Sequence, residues 1–166
     1  MVRMFLSLVV ALFSLSLPAQ AADPPGTDGF VTKAAAGNLF EIESSKLALS
    51  RSKDEKVRSF ATQMVSDHGE AATKFKKAVR EAKLKQPPEA LDPKHKAIVD
   101  DLRAKQGADF DKAYLEAQYK AHVETVELFE SYAKGGDNAR MKQFAQELLP
   151  TLRRHRDQVG KMRAGS

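Results

Sequence analysis

The chain holds four histidines and no cysteine, so any metal or acid-base chemistry has to be built from imidazole nitrogen and carboxylate oxygen. Three of the four interrupt apolar stripes. One stripe reads Val57, Ala61, Met64, His68, Ala71, Phe75, Ala78, Ala82, and another Met141, Ala145, Leu148, Leu152, His155, Val159, Met162. A third reads Leu115, Gln118, His122, Val126, Phe129. At three- and four-residue spacing these positions share one helix face, which places the imidazoles among core side chains. His95 lies in a polar connection instead. A fourth face, Ala34, Asn38, Glu41, Ser45, Ala48, is small and polar and turns Glu41 inward; Glu43, two residues on, points about 160° away.

Buried neutral imidazoles with one carboxylate suit a single transition-metal ion, and Zn, Fe, Cu, Ni and Mn all accept such a set. The candidate ligands are Glu41, His68, His122 and His155, with Asp67, Asp111 and Tyr114 as candidates to orient them. The rival account is structural. A histidine on an apolar face is commonly a core residue with a satisfied hydrogen bond, and Tyr114, Gln118 and Asp111 are suitable partners. No Gly-rich phosphate loop, GxSxG elbow or HExxH helix is present, so the chain is expected to bind rather than to catalyse.

Helices must position these residues. Apolar spacing predicts a first helix from about Phe30 to Ser50. Ser52-Lys53-Asp54-Glu55 has capping-box spacing and starts a second, which reaches about Leu84 before Gln86-Pro87-Pro88. Asp92-Pro93 opens a short helix carrying Ile98 and Leu102, which Gly107 breaks. A third long helix runs from about Ala108 to Ala133, stopped by Gly135-Gly136; Asp137 caps a fourth that reaches about Met162, with a kink expected at Pro150. The expected fold is all-α, an antiparallel four-helix bundle over residues 30–163 with a short extra helix between helices 2 and 3.

If the long helices simply alternate up and down, Glu41, His68 and His122 share one level and His155 lies about 8 Å lower. Side chains lean toward the N-terminus of their helix, which in that arrangement converges Glu41, His122 and His155 and tilts His68 away.

The N-terminus reads as a targeting segment. Arg3, the apolar run Met4–Leu17, Pro18 and Ala19-Gln20-Ala21 form a secretory signal peptide over residues 1–21, too short to span a membrane, with a flexible linker over 22–29. The expected address is the periplasm or cell envelope. At 42% hydrophobic and 30% charged the chain is globular in composition, and its net charge of +5 is spread along interleaved helix faces. Without aromatic residues among the cations it is not expected to bind nucleic acid; weak contact with anionic envelope material fits the basic C-terminal residues Arg153, Arg154, Arg156, Lys161 and Arg163.

Several short segments, in order, resemble domain-of-unknown-function family 4142. They are Phe30-Val31-Thr32-Lys33-Ala34 with Gly37 and Glu41 to Ala48; Met64-Val65-Ser66-Asp67-His68; Gly107-Ala108-Asp109-Phe110-Asp111 with Tyr114 and His122; and Leu149-Pro150-Thr151-Leu152 with His155. The resemblance implies a ferritin-like four-helix bundle, exported in bacteria, with no established activity, and it places the family pattern on Asp67, His68, Phe110, Asp111, Tyr114 and His155. Di-iron bundles carry Glu-x-x-His motifs, but Val65, Tyr119 and Leu152 precede these histidines by three. A mononuclear histidine site, serving metal handling or stress protection in the envelope, is therefore the leading expectation; a non-catalytic envelope interaction or structural module is the alternative.

Overall fold

The computed structural model describes residues 25–165, and the predicted signal peptide lies outside them. The described residues form five helices: α1 (Thr27–Arg51), α2 (Glu55–Glu81), α3 (Pro93–Arg103), α4 (Gly107–Gly135) and α5 (Ala139–Ala164). The four long ones make the expected antiparallel bundle, with α3 as the short extra helix. None of the described helices is long and apolar enough to cross a membrane.

Local chemistry sets most boundaries. Asp54 caps α2, accepting from the Lys56 and Val57 amides, while Ser52 accepts from the Asp54 amide. The cap is thus Asp54 and not the expected Ser52. Asn138, not Asp137, caps α5 through the Met141 amide. Asp137 is drawn off to Thr27 and to the Tyr132 hydroxyl. That same cluster explains why α1 starts at Thr27, ahead of the expected Phe30: Thr27 Oγ1 lies 2.6 Å from the Tyr132 hydroxyl, tying the first turn of α1 to the end of α4. Helix α2 stops at Glu81, short of Leu84, because Lys83 takes a left-handed φ of 56° and the Leu84 amide turns back to the Val79 carbonyl. Pro150 sits inside α5, which continues through it.

Two antiparallel hairpins, α1–α2 and α4–α5, pack side by side. Thr27 meets Tyr132 and Arg140 meets Glu81 (2.6 Å) at one end; at the other, Arg51 reaches the Lys105 carbonyl and Arg163 reaches Glu116. The connection between α2 and α4 therefore runs the length of the bundle, as in ferritin-like folds, and α2 and α4 point the same way. Helix α3 descends along the α1–α4 seam, with His95 against Phe40 and with Val99 and Leu102 buried.

The core is split into two main apolar blocks. One end holds Phe30, Phe75, Phe129, Tyr132, Met141 and Phe144, and the other Phe60, Met64, Phe110, Tyr114 and Val159. On every long helix the predicted site residue falls between the two blocks: Glu41 between Ala34 and Ala48, His68 between Met64 and Phe75, His122 between Leu115 and Val126, His155 between Leu152 and Val159. A polar layer thus crosses the middle of the bundle.

The hairpin turn at Gly136 allows no side chain. A Cβ there would lie 2.5 Å from the Tyr132 ring and 2.6 Å from its carbonyl, and Tyr132 is stacked on Phe30 at 4.0 Å. Gly136→Ala is expected to destabilise the protein by about 1–3 kcal/mol, read as a lower urea midpoint with unchanged slope.

Candidate metal centre

His68, His122 and His155 converge. Each contributes one candidate ligating atom, and these atoms all lie within 4.8 Å of one another; the ring centroids are 5.5–5.6 Å apart. All three side chains are buried, with His122 fully enclosed.

Each ring is held by one nitrogen and leaves the other without a partner. His68 donates from Nδ1 to Asn38 Oδ1 at 3.0 Å, while Asn38 Nδ2 donates back to the His68 carbonyl at 3.1 Å, so one amide fixes both ring and backbone. His122 donates from Nδ1 to the Gln118 carbonyl at 2.9 Å, one turn earlier. His155 donates from Nε2 to Asp67 Oδ2 at 2.8 Å. The remaining nitrogens, His68 Nε2, His122 Nε2 and His155 Nδ1, are buried with no hydrogen-bond partner. Fixing a proton on one nitrogen leaves a lone pair on the other, which is how metal-binding histidines are oriented. A tetrahedral or trigonal ion with bonds of about 2.0–2.1 Å needs its nitrogens about 3.3–3.6 Å apart, so the rings must close in by roughly 1 Å to grip one. The donor set fits such an ion.

Electrostatics keep the rings in the ligating form. Burial pushes the His68 imidazole well below its ordinary value, and the neighbouring His122 and His155 push it further. Burial lowers His122 to about 4 against the opposing bond to Gln118. His155 is also lowered by burial, with Asp67 working in the opposite direction. All three are neutral at pH 7.

Glu41 stands beside the triad and not in it. Its Oε1 is 3.3 Å from His122 Nδ1, the nitrogen that faces away from the other two histidines, and that N–H is given to the Gln118 carbonyl. Both Glu41 oxygens are buried and unpartnered, and burial raises the carboxyl well above the usual range despite the Gln118 side chain. Among the orienting candidates, Asp67 holds His155. Tyr114 lies about 12 Å along α4 from His122 and bonds Ser45 at 2.9 Å, and Asp111 is farther still. Glu43 pairs with Lys46 at 3.0 Å, away from the core. His95 stays apart, bonded to Asp92 at 2.9 Å.

The helix directions account for the exchange of His68 for Glu41. Since α2 and α4 run parallel, His68 and His122 lean the same way, while His155 leans toward them from the opposite direction. With α4 extending to Gly135 and α5 starting at Ala139, His155 lies only about 4–5 Å below His122, a gap those opposed leans close. Glu41, on α1, leans away from that meeting point. Asn38 is a further site residue; its one signal was its place on the face of α1 that carries Glu41.

Two of the cavities formed by the described residues touch the triad. A cleft of about 190 Å³ between α2 and α5 is lined by His68 and His155 together with Asp67, Glu70, Thr151 and Arg154. A void of about 30 Å³ lies against Glu41, His68, Asn38 and Thr125.

The chain belongs to DUF4142, a domain of unknown function, whose family model matches residues 14–162. No curated protein sequence matches it. Among solved structures it is similar to CopM in the Cu(II)-bound form, at 12% identity and a TM-score of 0.71, over 86% of this chain and 98% of that one. It is also similar to a protein described as a secreted DUF305 protein from Streptomyces coelicolor, at 16% identity and a TM-score of 0.68, over 82% of this chain and 89% of that one. At these identities the likeness is one of fold.

The lowered histidines make a pH signature. Between about 4 and 6.5 the unfolded chain binds a proton at His122 that the native state does not, so stability falls as pH falls through that window, by up to about 1.4 kcal/mol per pH unit for the one group. His68 and His155 act in the same sense, whereas Glu41, raised when folded, works against them above pH 4.5. Urea midpoints of chelator-treated protein should therefore drop from pH 6.5 to 4, and His122→Gln should flatten that slope.

Proposed function

We propose that this protein binds a single transition-metal ion through His68, His122 and His155, and that it serves metal handling or stress protection in the bacterial envelope. The observation that carries this is the set of three buried ring nitrogens without partners, each on a ring whose other N–H is already fixed by Asn38, Gln118 or Asp67. Three imidazoles satisfied on their inner sides by one another would need at least one inward N–H, and the outward bonds leave none.

When bound, the ion would supply a Lewis-acidic centre; the chain's own residues hold, orient and enclose it. Neutral imidazoles suit Cu, Zn, Ni and Fe, and no thiolate competes. The structural neighbour in a Cu(II)-bound form makes copper the first ion to test. Glu41 sits near enough to compensate part of the ion's charge once ionised, and is not assigned as a ligand. The secreted description of the second neighbour, the predicted signal peptide and the absence of a membrane-spanning helix among the described residues support the envelope address.

Protein purified from the periplasm without a histidine tag or chelator should carry close to one metal per chain by elemental analysis, and the His68/His122/His155 triple alanine variant none. Added ion at a hundred times its dissociation constant should raise the wild-type Tm by about 5–10 °C, and His122→Ala should abolish that rise. A wild type that carries no metal and gains no stability from Cu, Zn, Ni, Fe or Mn overturns the proposal in favour of a structural module with core histidines.

A further inference from the structure

The triad lies in the middle of the bundle, so an ion has to cross a layer of side chains to reach it. Two cavities among the described residues reach a triad histidine: the small void is about 30 Å³, room for a water or two, whereas the α2–α5 cleft is about 190 Å³. The cleft has both His68 and His155 in its lining, and α2 and α5 pack less closely than the helices within either hairpin. The cleft between α1 and α2, about 250 Å³, is lined by Leu39, Phe75 and Pro87 but by no triad member.

The α2–α5 cleft carries its own charges. Asp67, partly exposed, bonds His155 Nε2 at 2.8 Å and lies 3.8 Å from Arg154 Nη2. Glu70 and Lys74 complete the charged lining, and Thr151 stands among them from α5. Asp67 is therefore the one carboxylate that faces both the cleft and a triad ring.

We propose that the cleft between α2 and α5 is the passage by which an aquated divalent cation reaches and leaves the histidine triad, with Asp67 as the positioning carboxylate at its inner end and Arg154 as the charge that slows cation traffic. This rests on the metal-binding proposal above. Arg154 lies beside Asp67 and opposes an approaching cation, while Glu70 favours one. A passage governs rates without governing affinity, which separates it from a merely structural role for the same residues.

Copper(II) sulfate mixed with metal-free full chain in a stopped-flow instrument, and release into excess EDTA, give the two rates; equilibrium titration gives the dissociation constant. Thr151→Trp, which adds an indole to the cleft from α5, should slow uptake and release together by tenfold or more while the dissociation constant stays within about threefold, as expected when a plug raises one barrier for both directions. Leu39→Trp, in the α1–α2 cleft, should change neither rate. Arg154→Gln should speed uptake and Glu70→Gln should slow it, each by about threefold at low ionic strength and less at high salt. Intact binding with unchanged rates in Thr151→Trp, or slowing by Leu39→Trp instead, overturns the passage alone. A wild type that binds no copper at equilibrium overturns the metal-binding proposal and the passage with it.

Discussion

Placing three imidazoles and a carboxyl at the centre of a helical bundle is the constraint around which the rest is arranged. A buried polar atom without a partner costs about 1–3 kcal/mol, and this layer contains several: three ring nitrogens and both oxygens of Glu41. The fold contains that cost by segregation. Aromatic residues are concentrated in apolar blocks at either end, and what lies between is hydrogen-bonded on every outward face. Ser44, bonded to the Phe40 carbonyl at 2.6 Å, accepts from Gln118, and Ser45 meets Tyr114, so even the residues beneath Glu41 are paired. Most of the polar atoms left over among the described residues belong to this layer, Gln118 Oε1 included, while Asp111 Oδ1 and Arg140 Nη1 lie outside it.

The division of labour among the helices follows from the same constraint. Three helices each present one ring, and α1 presents none, yet α1 supplies Asn38, whose amide holds His68 by two bonds. It also supplies the small residues, Gly37, Ser44 and Ser45, all buried, that leave room for Glu41 and Gln118. Nothing in this set reproduces the paired Glu-x-x-His ligands of a di-iron bundle. The ferritin-like layout is a scaffold whose centre can be furnished in more than one way, so shared architecture alone carries no chemistry.

Much of this was legible in the chain. The long helices follow from apolar spacing, and three histidines stood out because each breaks a stripe that otherwise demands an apolar side chain. The turns were read less well for a reason that lies in competition: Ser52 and Asp137 have the chemistry of caps, but neighbouring Asp54 and Asn138 take the role while Asp137 is recruited by nearby Tyr132 and by Thr27 from the far end of the described chain. No local pattern reports such a long-range bond. Lys83 ends α2 in a left-handed conformation usually given to glycine, so its stop signal was invisible. Most consequential was the direction of α4. A connection from Ala82 to Gln106 can either turn back or cross the whole bundle, and spacing within helices does not distinguish the two. That single sign decided whether His68 or Glu41 met the other rings. Histidine types were readable one helix at a time, whereas their convergence belongs to the topology.

The crossover also sets where the triad lies relative to the chain's two halves. His68 comes from the first hairpin, His122 and His155 from the second, and 54 residues separate His68 from His122, the nearer of the two in sequence. An ion gripped by all three would act as a reversible cross-link between two units that are otherwise joined through side-chain packing and one long connection. In kinetic terms, such a clasp closes only after the hairpins have docked, so it contributes little to the rate of folding and acts on the rate of opening. Such a protein would resist proteases and mechanical separation according to its metal load, with its survival time reporting how much ion is at hand.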